Sequence, residues 1–366
     1  MMARIKQFYL LYSMSVGGVE KSLLGLLDTL DPEEKEVHVG LFYKKGGFLD
    51  QIPDWVHVHE ISAYQGHRRE MDLPPLMVIK KLFCRGRVIE GIMHLFLYAV
   101  YKLTGSRYLF YKYILRNEPM FPIGFDEAYA YAGPTELIDY YICKKVKAKK
   151  RFGWIHFDVQ KFGIAKGMTR KLYPLFEKVY VVSETAKEKF DELFPEFASK
   201  TEVRYNIVSE RQVRALAEVG ETFSDDYSGK RILTVGRLSQ EKGQMECIRA
   251  LKLLLEKGYD VRWYFVGDGN LLQSCVSFSE ELGIRECCVF LGTKTNPYGY
   301  MRDCDIYVQP SRHEGYCITL AEARCFTAPI VATNFTGAEE QLKTYPKSQV
   351  TGMSAEEMAE GIMKFL

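Results

Sequence analysis

The sequence predicts an α/β protein of two similar domains, each a mostly parallel sheet with helices on both faces. Three observations carry this. Short β-rich runs alternate with helical stretches. The pattern restarts at 230-KRILTVGRLS-239 after the polar stretch 220-GETFSDDYSGK-230, and 366 residues suffice for two substantial cores. The join is placed near Asn206, giving domains 1–205 and 206–366.

In chain order, the first half reads as strands at Ile5–Tyr12, Val37–Tyr43, Ala128–Tyr131, Arg151–His156 and Lys178–Val182. The second half gives Arg231–Val235, Arg262–Val266, Val289–Leu291, Ile306–Pro310 and Ile330–Thr333. The N-terminal run Phe8–Leu11 is too short for a signal peptide and ends in a glycine turn, so it reads as a first buried strand. No uninterrupted apolar segment reaches the ~20 residues of a membrane span. A net charge of +2 gives no global case for nucleic-acid binding. The nine cysteines are odd in number and lack zinc-site spacing, which points to a reduced, cytoplasmic chain with cysteines as small core residues.

One region breaks the alternation. Met77–Glu118 carries Lys80, Lys81, Arg85, Arg87, Lys102, Arg107, Lys112 and Arg116 against only Glu90 and Glu118, with large apolar residues between. Such a basic amphipathic stretch suits an anionic membrane surface. The plainer alternative is a pair of helices packing their apolar face on the first domain.

Four motifs carry candidate chemistry. In 309-QPSRHEGYCITLAEARCF-326, Pro310, Ser311 and Gly315 read as a loop and Cys317–Phe326 as a largely apolar helix. Glu314 then precedes the helix start and Glu322 lies about two turns inside, at ~3.6 residues per turn. Unpaired N–H groups at such a start suit an anion, and flanking carboxylates suit hydroxyls, so a ligand part sugar and part phosphate fits. In 233-LTVGRLSQEKGQ-244 a buried strand ends in Gly236, followed by Arg237 and Lys242 at the carboxyl edge, where open α/β sheets bind ligands. A planar guanidinium and a mobile ammonium suit phosphate oxygens, although solvated surface cations are the commoner fate of both types.

The turn 12-YSMSVGGVEKSLLGLL-27 places Gly17 and Gly18 before a helix, either for close approach to phosphate or simply for a tight turn. In 151-RFGWIHFDV-159, His156 follows a strand, with Asp158 near enough to tune it; a structural histidine is the alternative. His38, His57, His59, His67, His94 and His313 are assigned no role. The segment 264-YFVGDGNLLQS-274 lacks the third glycine of a dinucleotide fingerprint and reads as a structural turn.

Arg237 and Lys242 five apart, then Val-Gly-Asp-Gly, then Pro-Ser-x-x-Glu-Gly with a second Glu eight residues on, together resemble a retaining glycosyltransferase of family 4. The likeness is strong over 230–337 and weakest from Asp72 to Glu118. It extends to Gly-Gly-Val-Glu-Lys-Ser and Trp-Ile-His-Phe-Asp of members that build bacterial capsule and lipopolysaccharide. The resemblance implies a GT-B fold, two Rossmann-like domains facing a cleft, the first for acceptor and the second for donor. It implies a nucleotide diphosphate sugar as donor substrate, no cofactor, no metal, and a lipid-linked or glycan acceptor. It also implies a cytoplasmic enzyme, peripheral on the inner face of the cell membrane.

Carried over residue by residue, the resemblance gives Arg237 and Lys242 the donor diphosphate and Glu314 the hexose. The N–H groups of Gly315, Tyr316, Cys317 and Ile318 meet hexose hydroxyls and phosphate, and Glu322 takes the ribose hydroxyls. Gly17, Gly18 and Gly236 lie by the phosphates, and His156 lines the reaction centre. The chain departs from the pattern after 337-GAEEQL-342, where KTYPKSQVTGM stands in place of an Asp-Gly-x-x-Gly segment, followed by a Ser354–Glu357 capping box and a helix to Leu366. The rival readings are a nucleotide-sugar epimerase of the same fold and a catalytically silent partner subunit, though the latter predicts losses among Arg237, Lys242, Glu314 and Glu322.

Overall fold

The computed structural model describes residues 4–61, 75–133, 136–161 and 163–366. His67 lies outside them. The chain divides into two compact units, Met1–Tyr205 and Asn206–Leu366.

In the first unit the described strands are β1 (Ile5–Leu11), β2 (Lys35–Leu41), β3 (His57–Glu60), β4 (Gly124–Gly133), β5 (Lys147–Ile155), β6 (Lys178–Val181) and β7 (Thr201–Val203). They pair in parallel in the order β3-β2-β1-β4-β5-β6-β7. The second unit contains β8 (Lys230–Val235), β9 (Val261–Val266), β10 (Cys288–Gly292), β11 (Ile306–Gln309), β12 (Ile330–Thr333) and β13 (Ser348–Thr351), ordered β10-β9-β8-β11-β12-β13. Both sheets are therefore wound outward in both directions from their first strand. Central strands are buried over consecutive residues, Ile232–Val235 in β8 and all of β11, as a sheet covered on both faces requires.

The sequence reading placed ten of these strands and missed β3, β7 and β13. All three lie at sheet edges, where a strand has one neighbour and needs less apolar surface. The stretch after Leu342, read as a departure, thus contributes β13 beside β12. The capping box after it is present: Ser354 accepts from the Glu357 N–H, and the Glu357 carboxylate accepts from the Ser354 N–H.

Residues 75–114 form helices Pro75–Cys84, Val88–Thr104 and Tyr108–Ile114. Tyr111, Ile114 and Leu115 join the core of the first unit, while Gly91, His94 and Leu97 make the buried stripe of the middle helix. A second apolar stripe on that helix stays uncovered. Ile89, Ile92, Phe96 and Leu103 share one helical face and are 83%, 57%, 58% and 86% exposed. The helices therefore pack on the unit and still present an apolar face.

Candidate active site

In the second sheet the strand order reverses between β8 and β11, and ligands of open parallel sheets lie outside the carboxyl ends of the strands at such a reversal. β8 runs out into Gly236 and Arg237, and β11 into Pro310, Ser311 and Glu314. Topology alone thus brings together two motifs more than seventy residues apart.

Backbone contact fixes the spacing of the two loops. Gly243 adopts φ +71°, and a Cβ there would lie 2.1 Å from the Pro310 carbonyl oxygen, so only glycine allows this approach. The Arg312 N–H donates to the Glu241 carbonyl at 2.7 Å, and Gln244 Nε2 donates to the Arg237 carbonyl at 2.9 Å. Held this way, Lys242 Nζ makes an ion pair with Glu314 Oε1, and Ser311 Oγ donates to the same oxygen at 2.7 Å. Behind them, Gln309 Nε2 donates to Ser311 Oγ at 2.8 Å, while Gln309 Oε1 accepts from Thr319 Oγ1 at 3.0 Å and Tyr307 OH at 2.7 Å. The carboxylate is positioned by a hydrogen-bonded chain that reaches back into β11.

Burial opposes charge on Lys242, but the facing Glu314 carboxylate outweighs it and raises the ammonium above the usual lysine value. Burial, with Glu314 nearby, pushes the Cys317 thiol up to about 12, so Cys317 is a neutral packing group and not a thiolate. Arg237 is exposed at the rim of this loop.

The helix after Glu314 is shorter than the sequence suggests, spanning Ile318–Ala323 with Cys317 as its N-cap. Glu322 therefore sits little more than one turn from the helix start, not two. It is 1% exposed, and its Oε1 accepts from Tyr298 OH at 2.8 Å. Burial beside Glu322 raises the Tyr298 hydroxyl far above its ordinary range, keeping it a donor. With its amide turned to satisfy both atoms, Gln341 accepts from the Cys317 N–H at 3.1 Å and donates to the Cys317 carbonyl at 3.0 Å. Of these partners, Ser311 could have been found from the Pro-Ser-x-x-Glu spacing. Tyr298, Gln309 and Gln341 carry no local signal, because the fold alone brings them in.

The turn at 264-YFVGDGN-270, which follows β9, is bonded to the loop after β8: Leu238 N–H donates to the Asp268 carbonyl at 3.0 Å, and Leu271 N–H to the Leu238 carbonyl at 3.1 Å. It shapes the backbone beside Arg237.

In the first unit, Gly17 is the N-cap of the helix Gly18–Leu27 that follows β1. The loop before it is fastened to the loop after β2, with Met14 N–H donating to the Lys45 carbonyl at 2.9 Å and Phe48 N–H to the Met14 carbonyl at 3.0 Å. Gly46, at φ +128°, lies against this backbone where a Cβ would be 2.0 Å from the Met14 oxygen. His156 follows β5, is 9% exposed, stacks on Trp154 at 5.8 Å and meets the Tyr131 ring at a tilt of 51°, 4.7 Å between ring centres. Asp158 pairs with Lys189 Nζ at 2.6 Å and accepts from the N–H groups of Gln160 and Lys161.

Residues 225–366 match the family of glycosyl transferases group 1. The match lies wholly within the second unit, Asn206–Leu366. Among curated relatives, the N-acetylgalactosamine-N,N'-diacetylbacillosaminyl-diphospho-undecaprenol 4-alpha-N-acetylgalactosaminyltransferase of Campylobacter jejuni is 28% identical over 172 residues, 45% of this chain and 45% of the relative. The capsular polysaccharide biosynthesis glycosyltransferase CapM of Staphylococcus aureus is 27% identical over 106 residues, 28% of each chain. The chain spans less than half the length of these relatives. Anabaena HepE in complex with UDP superposes with a TM-score of 0.64 at 19% identity, covering 98% of this chain and 89% of that one. These likenesses bear out both the glycosyltransferase resemblance and the GT-B fold, with two parallel α/β units.

Proposed function

We propose that this protein is a retaining glycosyltransferase that moves a hexose from a nucleotide diphosphate sugar to a lipid-linked or growing glycan acceptor in surface polysaccharide synthesis. The observation that carries this is the juxtaposition of Lys242 with Glu314 at the strand reversal, beside Arg237. A cation held against a carboxylate on a ligand-facing edge suits a ligand with a diphosphate next to a sugar. Breaking the bond from the anomeric carbon to the diphosphate leaves growing negative charge on the leaving oxygens. Preorganised cations stabilise that charge without reorganising during the reaction, and holding the acceptor in line supplies much of the rest. Arg237 and Lys242 take the diphosphate, Glu314 takes the hexose, and Glu322, steadied by Tyr298, takes the ribose. No metal ion is needed in this scheme.

The acceptor class draws support from the name of the Campylobacter relative, which specifies a diphospho-undecaprenol acceptor. UDP in HepE supports a nucleotide donor. Among the described residues no helix is long and apolar enough to cross a membrane. The uncovered stripe of Ile89, Ile92, Phe96 and Leu103, flanked by Lys80, Lys81, Arg85, Arg87 and Lys102, supports peripheral docking on an anionic inner leaflet.

The test is a donor screen that reads released nucleotide, run with and without lipid extracts as acceptors. Nucleotide release that depends on extract supports transfer. Release from a single donor without any acceptor, with isomerised sugar, would replace transfer by the epimerase reading.

A further inference from the structure

Three histidines left without a role in the sequence reading converge on one edge of the first sheet. Glu36 and His38 lie two apart on β2, and His57 and His59 two apart on β3. The parallel register sets His38 beside His57 and Gly40 beside His59. Side chains two apart on a strand share a face, and so do register partners, so all four project from the same side of the sheet.

The contacts follow from that placement. His38 is 4% exposed; its Nε2 lies 3.1 Å from Glu36 Oε1 and its Nδ1 2.8 Å from His59 Nε2. The ring of His57, at the surface, is 4.7 Å from that of His38 between centres. One ligand atom from each of Glu36, His38 and His57 falls within 4.8 Å of the others. Ligand atoms ~2.0–2.1 Å from a tetrahedral ion stand about 3.3 Å apart. Only the exposed His57 side chain must swing inward to reach that spacing.

We propose that Glu36, His38 and His57 bind a divalent first-row transition ion, zinc by preference, with His59 orienting His38. Two imidazoles and a carboxylate suit zinc over magnesium or calcium, which take oxygen ligands, and three protein ligands leave a position for water. His59 supplies the partner on the second ring nitrogen that metal-binding histidines ordinarily have, fixing ring orientation and tautomer. Lys6 Nζ, 3.1 Å from Glu36 Oε1 on a half-exposed side chain, is the cation that the ion displaces. β3 is four residues long and, among the described residues, pairs with β2 alone, so such an ion clips a short, polar edge strand to the sheet. The site belongs to the first unit and serves its stability rather than sugar transfer.

The experiment uses the full chain, stripped with chelator, in a Cys84→Ser background that removes the exposed thiol. Zinc chloride, cobalt chloride and magnesium chloride are titrated by calorimetry, with melting followed in parallel and the visible spectrum recorded for cobalt. The proposal expects one zinc per chain, a melting temperature several degrees higher with zinc and unchanged with magnesium, and a cobalt spectrum of nitrogen and oxygen ligation. His57→Ala, at a surface position that leaves folding intact, is expected to weaken zinc at least tenfold and abolish the melting shift; Glu36→Gln checks the same through the carboxylate. Equal zinc binding by parent and His57→Ala, or no melting shift in the parent, overturns it.

Discussion

Lys242 and Glu314, 72 residues apart in sequence, form one ion pair at the carboxyl edge of the second sheet, and Ser311 donates to the same carboxylate oxygen. On the proposed function, an incoming diphosphate would meet a lysine already paired with a carboxylate. Replacing Glu314 by Gln would free the ammonium for phosphate and remove the charge proposed to face the hexose. Binding of a bare nucleotide diphosphate is therefore expected to tighten, and sugar transfer to fall about ten- to a hundredfold, the range of a charge-assisted hydrogen bond. Calorimetry with UDP, GDP and ADP, beside a transfer assay with intact donors, separates the two effects. Weaker binding of every bare diphosphate would refute the competition.

The same pair sets a pH dependence. The Lys242 ammonium is raised in the folded chain above the usual 10.5, so its stabilisation is complete below that value. It is lost as pH climbs through the higher folded value. Lys242→Ala is expected to cost roughly 1–3 kcal/mol, less than for a fully buried pair because Lys242 keeps 23% of its side chain exposed. Urea denaturation of both chains should give a constant difference from pH 7 to about 10, narrowing above. A difference that disappears between pH 8 and 9 contradicts the raised value.

Glu322 and Tyr298 make a second coupled pair, one almost wholly buried. Glu322→Gln keeps the shape and one acceptor, so donor affinity should fall about ten- to a hundredfold with the fold intact. Tyr298→Phe removes only the hydroxyl and is expected to have a smaller effect in the same direction. Circular dichroism and nucleotide titration decide. Loss of folding in Glu322→Gln with unaltered nucleotide binding in Tyr298→Phe would make Glu322 a structural carboxylate.

Docking on an anionic bilayer should need both parts of the helical surface. Changing Ile89, Phe96 and Leu103 together to Ser removes the uncovered apolar stripe and is expected to reduce vesicle binding at least tenfold at any salt. Neutralising Lys80, Lys81, Arg85 and Arg87 should reduce binding mainly at low salt, where charge is least screened. Sedimentation with neutral and anionic vesicles reads both. Equal binding of parent and triple variant removes the stripe from the mechanism.

Much of this architecture was legible because parallel strands are buried on both faces and write apolar runs into the sequence, as ILTV does in β8 and IYVQ in β11. Edge strands HVHE, TEV and SQVT leave no such run, and were missed for that reason. Motif spacing singled out Arg237, Lys242, Glu314 and Glu322, since chemistry at strand ends keeps local order. The Glu314–Lys242 contact itself was not legible, for it depends on Gly243 meeting Pro310 across two loops. The alternation Glu36-x-His38 with His57-x-His59 was present in the sequence, but its meaning waited on the register of β2 against β3.

Turnover at saturating donor in Arg237→Ala, Lys242→Ala and the double variant tests whether these cations hold a leaving diphosphate. Contacts that strengthen as charge develops lower turnover and not only affinity. Each single change should cut turnover about a hundredfold or more, the loss expected for one preorganised electrostatic contact. The double variant should lose less than the product of the two, because both side chains serve one group. Near-normal turnover in both single variants, with folding intact, would mean two solvated surface cations and no diphosphate site at this edge.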